Sequence, residues 1–192
     1  MIRPNVSRAR WPHRDIKLER VYLHPPALVW RALTERDVLA EWLMPNDFVA
    51  EVGHRFTMRT DPAPGFDGVV HLEVLALDPP VHMRWSWRGG PLDTEVGFRL
   101  VPEFVMGREA TRLVLEHTGF AGVPAVLVSF IMGSGWAGMM KKRLPRVFDA
   151  LADGAPTRHS GAATGTAEMR KTGWHRLSTL FRPALGKTPP PG

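Results

Sequence analysis

The hydrophobic pattern at the start of the chain changes from that of a strand to that of helices. Residues 15–23 alternate apolar and polar positions, which is the period of a half-buried strand. Pro25 and Pro26 then stop the ladder, because proline has no amide hydrogen to donate. Apolar residues recur at helical spacing after them and predict two short helices. Thr34, with Asp37 three residues later, predicts a capping box at the start of the second helix.

The middle of the chain returns to the period of strands. Five alternating segments follow one another, and each is separated from the next by a cluster of turn-forming residues such as Gly, Pro and Asp. Short strands joined by short turns predict an antiparallel meander. The predicted strands are 48–60, 68–77, 82–88, 94–101 and 111–118.

One long helix is predicted over about 131–152, where apolar residues recur at helical spacing. Pro145 lies inside it and predicts a kink near 141–144, because proline removes a backbone hydrogen bond and crowds the preceding turn. The apolar residues 121–134 are interpreted as a buried loop that leads into this helix. An alternative is a membrane span over the charge-free segment 118–140, but its strongly apolar run is about half of the roughly 20 residues that a span needs.

This order of elements predicts an α+β fold. A curved antiparallel sheet of about six strands would wrap around the long C-terminal helix, and the two short helices after the first strand would close one end. The domain is predicted to span 15–153, between a basic N-terminal arm, 1–14, and a C-terminal tail, 154–192. The tail is expected to be largely disordered, because it has few apolar residues to offset the entropy of ordering. Its apolar stretch 174–181 is interpreted as a small docking helix.

Composition narrows the function classes. The 192 residues include no cysteine, which excludes disulfides, thiolate metal sites and cysteine nucleophiles and fits a reduced, cytoplasmic protein. The formal charge of +6 resides in the two arms, which carry about +4 and +5, whereas the predicted domain carries about −3. This distribution disfavours nucleic acid as a partner of the domain, and attachment of the arms to nucleic acid or anionic membrane is kept as a minor alternative.

The sequence contains no metal motif, serine elbow or phosphate loop, so neither a metal nor a cofactor is expected.

His117 is the polar residue most suited to chemistry in the predicted interior. Imidazole titrates near neutral pH and could orient a ligand or act as an acid or base, although a structural hydrogen bond is the more common role. A carboxylate partner would be Glu116 or Asp93, but strand parity places Glu116 on the opposite face. The missing acid–base pair disfavours an enzyme.

Four segments in order resemble one family. They are ERVYLHPPALVWRALTERDVLAEWLMP at 19–45, DPPVHMRWSW at 78–87, TRLVLEHTGF at 111–120, and Gly135 with Trp136. Together they resemble the activator-of-heat-shock-protein-90-ATPase-like domains of the START-related helix-grip (SRPBCC) superfamily. The resemblance covers about residues 15–152.

The resemblance implies a helix-grip fold with a hydrophobic cavity between the sheet and the long helix. It implies a binding, carrier or sensor domain for a small apolar molecule or lipid. One alternative is a chaperone-activator-type interaction domain that binds a chaperone or other protein, and a second is a cyclase- or hydrolase-like enzyme in the same cavity. No catalytic residue is carried over. The predicted cavity residues are Trp42, Phe56, Met58, Met83, Trp85, Trp87, Phe98, Leu113, Leu115, His117, Trp136, Met139 and Met140.

Overall fold

Six antiparallel strands form one curved sheet in the computed structural model, which describes residues 12–63 and 65–154. Strands β2 to β6 follow one another as neighbours, and β1 closes the order beside β6, giving β1-β6-β5-β4-β3-β2. The α+β fold predicted from the sequence is confirmed. The strands are β1 (His13–Tyr22), β2 (Arg55–Arg59), β3 (Val69–Asp78), β4 (His82–Gly89), β5 (Leu92–Val105) and β6 (Arg108–Ala121).

Two short helices and one long, irregular helix complete the described part of the chain. The long helix runs over Val123–Ala152 and consists of an α-helix, a π-helical segment and a second α-helix. Its first half packs against β1 and β6. Its last part packs against the two short helices, so that they cover one end of the sheet. The helical elements are α1 (Pro26–Thr34), α2 (Arg36–Trp42), α3 (Val123–Gly138), the π-helical segment (Met139–Arg143) and α4 (Leu144–Ala152).

The long helix begins eight residues earlier than the sequence pattern predicts, so the buried loop over 121–134 is wrong. Gly122 has a φ of +86°, which turns the chain away from β6, and Pro124 occupies the first turn of α3. Proline suits that position, because the first amides of a helix have no helical acceptor. The residues that follow are apolar on every side, so no helical period distinguishes them.

The inner face of α3 is part of the domain core. Ala125, Val128, Met132 and Trp136 are buried against the rest of the domain. The helix as a whole is long and apolar enough in composition to cross a membrane. Because this face is already packed in the core, the alternative of a buried core helix accounts for the charge-free sequence.

The long helix changes to a π-helical segment over Met139–Arg143, where the sequence predicts a kink before Pro145. The amide of Leu144 donates to the carbonyl of Met139, five residues earlier. Pro145 is the residue five positions after Met140 and has no amide hydrogen to donate. The Tyr22 hydroxyl donates to the Met140 carbonyl instead, at 2.7 Å. A side chain of β1 thus satisfies a carbonyl that the proline leaves without a helical donor.

The predicted capping box at Thr34 and Asp37 is wrong. Thr34 is the last residue of α1, and its hydroxyl donates to the carbonyl of Trp30 at 2.8 Å. Helix α2 begins at Arg36 with Glu35 at the N-cap position, and no side chain caps it. The threonine hydroxyl therefore forms a hydrogen bond to the i−4 carbonyl of its own helix and does not cap the next helix.

The edges of the sheet are irregular or covered. In β1 the pairing with β6 shifts register between Arg14 and Ile16. Along the outer edge of β2, the Thr57 amide donates to the Asp47 carboxylate at 2.6 Å and the Arg59 amide donates to the Pro45 carbonyl at 3.0 Å. A loop therefore takes up the hydrogen bonds that β2 would otherwise present to solvent.

Several predictions fall wholly or mainly outside the described residues. They concern the N-terminal arm 1–14, the tail 154–192 and its stretch 174–181. The two arm boundaries therefore remain predictions. Within the described part, the predicted strand 48–60 shortens to β2, and the strands predicted at 94–101 and 111–118 extend at both ends into β5 and β6.

Candidate functional site

The thirteen predicted cavity residues all lie in the interior of the domain. Each is at most 4% exposed. Parity along β2, β4, β5 and β6 placed the nine of them that lie on strands on the inward face, and their burial agrees with that placement. Most of them fill space around one another and so form the core.

Aromatic rings occupy the centre of this core. The ring centroids of Trp85 and Phe98 are 5.0 Å apart, and those of Trp87 and Trp136 are 5.7 Å apart. Trp42 lies over Phe98 at 6.5 Å, edge to face. Such edge-to-face contacts are the preferred packing of aromatic pairs. The volume between the middle of the sheet and the long helix is therefore filled by protein side chains.

A cavity of about 370 Å³ lies beside this aromatic core, beneath the first half of α3. Its floor is the end of the sheet near the β4–β5 turn, and its roof is the inner side of α3. Of the thirteen predicted residues, Trp87 lines the cavity, and the other twelve lie in the packed core. The lining residues are Met44, Thr60, Ala63, Gly65, Phe66, Val70, Trp87, Gly89, Pro91, Leu92, Pro124, Val128 and Met132.

The cavity wall is almost entirely apolar. Thr60 supplies the one side-chain hydroxyl among the lining residues, and none of them carries a charged side chain. Ligand pockets in proteins range over about 300–1,000 Å³, so this one suits a small molecule. A charged ligand would lose its hydration here without gaining a partner charge, which costs several kcal/mol or more.

Two glycines let the chain approach itself closely at the cavity mouth. A Cβ atom on Gly89 would lie 3.1 Å from the Phe66 ring and 3.3 Å from the Val69 carbonyl. Gly68 has a φ of +85°, and a Cβ there would clash with the Thr60 carbonyl oxygen. A side chain at Gly68 would therefore displace the backbone beside Thr60, and one at Gly89 would crowd Phe66 in the cavity wall.

A second, open groove of about 530 Å³ adjoins the cavity on the surface of the domain. It shares Gly65, Phe66, Gly89 and Leu92 with the cavity lining, so these residues separate the two spaces. The groove combines charged and apolar residues. Arg88 in its wall donates to the Asp93 carboxylate at 2.9 Å, and His71 lies in the same wall. Charged side chains therefore lie on the groove side of the wall that the two spaces share.

His117 is buried in the aromatic core and does not line the cavity. The Trp136 indole nitrogen donates to its Nδ1 at 3.1 Å, and because indole is a donor only, Nδ1 must be the acceptor. Its Nε2 then carries the proton and donates to the Thr94 hydroxyl, 2.8 Å away. The Thr94 hydroxyl in turn donates to the Trp87 carbonyl at 3.2 Å. This chain of hydrogen bonds fixes one neutral tautomer of the ring.

The environment of His117 leaves it no role as an acid or base toward a bound molecule. Burial lowers the pKa of His117 from 6.5 to about 3, so the ring stays neutral at ordinary pH. Neither predicted carboxylate is its partner: Glu116 pairs with Lys17 at 2.8 Å, and Asp93 pairs with Arg88. The structure assigns His117 to holding Trp87 and Trp136 in place.

Sequence reasoning missed most of the cavity wall. The segment 61–65 was interpreted as a turn cluster, although Phe66 directly after it is a large apolar residue with no strand to belong to. Val128 was missed because the first part of its helix was interpreted as a loop, and Met132, at the start of the predicted helix, was not assigned to the cavity. Pro124, a residue type favoured at a helix start, was the signal that could have located both. Within the described residues, no group of three His, Asp or Glu side chains could hold a metal ion.

A family model, described as activator of Hsp90 ATPase homolog 1-like protein, matches residues 23–149. None of the curated proteins compared with the chain matches it significantly. Among solved structures, protein MLL2253 from Mesorhizobium loti is 35% identical, with a TM-score of 0.59 over 71% of this chain and 97% of that chain. Protein BH1534 from Bacillus halodurans is 26% identical, with a TM-score of 0.58 over 70% and 96% of the two chains.

The same fold recurs at lower identity. The solution structure of the Aha1 dimer from Colwellia psychrerythraea is 20% identical, with a TM-score of 0.53 over 77% of this chain and 99% of that chain. At this level the likeness concerns the fold alone. The family model covers strands β2 to β6, the two short helices and most of the long helix.

Proposed function

The chain belongs to the family of activator of Hsp90 ATPase homolog 1-like proteins, and from that premise we propose that its domain binds a small, uncharged, apolar molecule in the cavity beneath α3. The observation that carries this proposal is the cavity wall, whose described side chains are uncharged and apolar apart from the Thr60 hydroxyl and the indole N–H of Trp87. A wall of this kind selects its ligand by shape and apolar contact.

The flexible side chains in the wall support a ligand of adaptable shape. Met44 and Met132 lie on different elements and both contribute to the lining. Methionine side chains are unbranched and polarisable, so they adjust to apolar surfaces of varied outline. Trp87 provides a rigid wall opposite them, because hydrogen bonds and ring contacts hold its surroundings in place.

The proposal is tested with an uncharged fluorescent probe, N-phenyl-1-naphthylamine, titrated into the full chain. We expect saturable binding with enhanced fluorescence. Val128→Trp places a large ring in the cavity and should abolish this binding. Leu127→Trp is the matched control, because it adds the same ring on the outer, exposed side of the same helix and should leave binding unchanged. Near-UV circular dichroism establishes that both variants are folded.

Equal binding by both variants, or no binding by the unaltered chain, would contradict the proposal.

A second measurement identifies the ligand class. Native mass spectrometry of protein purified from its own host should show a bound apolar compound that Val128→Trp excludes. A chain that carries no such compound, and binds no probe, has a cavity without a ligand-binding role.

The family description names activation of a chaperone ATPase, so protein interaction is the second candidate. It predicts saturable stimulation of ATP hydrolysis when this chain is titrated into a chaperone of the Hsp90 class. Stimulation that Val128→Trp does not affect would assign the activity to a surface of the domain. A flat titration would remove this candidate.

The enzyme alternative has less support. A cyclase or hydrolase acting in the cavity would need an acid or base in its wall, and the lining residues include no His, Asp, Glu or Lys. His117, the residue considered for that role, has both ring nitrogens engaged in the core.

A further inference from the structure

An apolar stripe lies on the outward side of α3, opposite the cavity. Val123, Leu127 and Phe130 are 60%, 63% and 58% exposed. Their spacing of four and three residues places them on one side of the helix. Exposed apolar side chains grouped in this way, unlike ones scattered singly, mark an interaction surface.

Positive charge follows the stripe along the same helix. Lys141, Lys142 and Arg146 are exposed, and none of them forms an ion pair with a carboxylate of the described residues. After Glu116, the next carboxylate in the sequence is Asp149. The helix therefore presents an apolar half and then a cationic section.

Both basic arms are attached at the two ends of this helix. The Gly122 amide, directly before α3, donates to the Pro12 carbonyl at 2.9 Å, so the N-terminal arm joins the domain beside the apolar stripe. Residues 1–11 carry three arginines and no carboxylate. Residues 155–192, which follow the other end of the helix, carry six basic residues and one glutamate. Both basic segments of the sequence are thus connected to the domain at the ends of this helix.

We propose that the outward face of α3 docks on an anionic lipid bilayer. The stripe of Val123, Leu127 and Phe130 would enter the boundary between head groups and acyl chains, and Lys141 and Lys142 would contact the lipid phosphates and carboxylates. Binding of a helix to such a surface strengthens with the apolar area that it buries and with the electrostatic attraction between its basic residues and anionic lipids.

Charge complementarity favours a bilayer over the other occupants. Nucleic acid would attract the cations but offers no apolar phase for the stripe. A second copy, or the basic tail of this chain, would bring its own positive charge toward Lys141 and Lys142. An anionic bilayer is negative at its surface and apolar beneath, so it matches both parts of the helix.

The test is co-sedimentation of the full chain with vesicles. We expect binding to vesicles of phosphatidylcholine with phosphatidylserine, weakening as salt is raised, and little binding to phosphatidylcholine alone.

Lys141→Gln with Lys142→Gln should weaken binding about 25-fold, at about fivefold per lysine. Val123→Gln with Leu127→Gln should weaken it at least about tenfold. The second pair leaves Phe130 unaltered, because its ring also contacts Arg14. The Arg14 guanidinium carbon lies over that ring, 3.7 Å from the ring centroid.

Matched controls remove the same chemistry from other faces. Leu23→Gln with Val52→Gln changes two apolar residues that are 59% and 65% exposed elsewhere on the domain. Arg59→Gln with Arg99→Gln removes two exposed cations from the sheet. Both control pairs should keep binding within about twofold, since neither lies on the docking face.

Three outcomes would overturn the proposal. The first is that the full chain does not bind phosphatidylserine vesicles, or that every variant binds equally. The second is a dimer in sedimentation velocity that Val123→Gln with Leu127→Gln dissociates, which would make a second copy the occupant. The third is hydrogen exchange over 123–130 that accelerates when residues 155–192 are deleted, which would make the tail the occupant. None of these readouts depends on the cavity binding a ligand.

Discussion

At the residue scale, the inward position of His117 and the preference for a structural role were predictable, but its hydrogen-bond partners were not. Alternation along the strand sufficed to place the side chain inward. Its hydrogen-bond partners, Thr94 and Trp136, belong to a neighbouring strand and to the long helix, and nothing local in the sequence relates them to the histidine. A buried histidine that accepts a hydrogen bond from one indole and donates one to a hydroxyl has a structural role. Strand parity alone cannot distinguish such a histidine from one whose side chain lines a cavity.

The burial of His117 makes stability depend on pH. The unfolded chain takes up a proton on this imidazole near its ordinary pKa of 6.5, whereas the folded protein does so only near 3. Between those values the unfolded state binds more protons, so the free energy of unfolding falls as pH falls, by up to about 1.4 kcal/mol per pH unit. We expect His117→Asn to remove this contribution. Urea unfolding of both proteins at a series of pH values measures it.

The carboxylates titrate equally in the two proteins, so the comparison isolates the imidazole. The stability advantage of the unaltered chain over His117→Asn should be fully present above pH 6.5 and should shrink steadily toward pH 3. Parallel pH profiles for the two proteins would show that His117 is not buried as a neutral ring.

At the element scale, the strands were easier to predict than the start of the long helix. Period-two alternation in 82–88 identified β4 because one face is buried and the other is exposed. Helix α3 has no such contrast: its inner face contacts the core and its outer face is also apolar. A helix without a polar side gives no period, so its first eight residues resembled a loop.

The π-helical segment gives a prediction about the link between β1 and the long helix. Burial raises the pKa of Tyr22, so its hydroxyl keeps its proton and donates to Met140. Tyr22→Phe leaves that carbonyl unsatisfied and should cost about 1–3 kcal/mol. Pro145→Ala supplies a helical amide nearby, so in that background Tyr22→Phe should cost less. Urea unfolding of the four proteins measures the coupling.

The matched control for this cycle uses the other proline of the long helix. Pro124→Ala changes a residue in the first turn of α3, where the missing amide hydrogen leaves no helical carbonyl without a donor. Its effect should add to that of Tyr22→Phe. Additive effects in the Pro145→Ala cycle as well would mean that Tyr22 does not replace the amide that the proline lacks.

At the scale of the whole molecule, the order of elements and the family were predictable, whereas the size and place of the cavity were not. Hydrophobic period assigns each side chain to the inside or the outside. A cavity is the volume that remains after rings such as Trp85, Phe98 and Trp136 have packed, and that remainder depends on their rotamers. The sequence accordingly placed the binding site across the whole interior, whereas the open space lies at one end of it.

The packing of the domain predicts that its fold does not need the tail. Among the described residues, which end at Gly154, the hydrophobic core cluster runs from Ile16 to Leu151 and is already extensive. A chain that ends at Gly154 should therefore unfold cooperatively, with a Tm within about 3 °C of the full chain, because a shift of that size corresponds to less than about 1 kcal/mol. Thermal melts followed by near-UV circular dichroism compare the two. A much lower Tm, or a broad transition, would place part of the core beyond residue 154.

The covered and irregular edges of the sheet have a consequence for solubility. An open sheet invites a strand of another chain to add to either end and so to seed fibres. Here Pro45 and Asp47 already bind the outward amides of β2. At the other end, the register shift between Arg14 and Ile16 bends β1, and the charged residues along that strand oppose close approach. The protein is thus protected against edge-to-edge aggregation at both ends of its sheet.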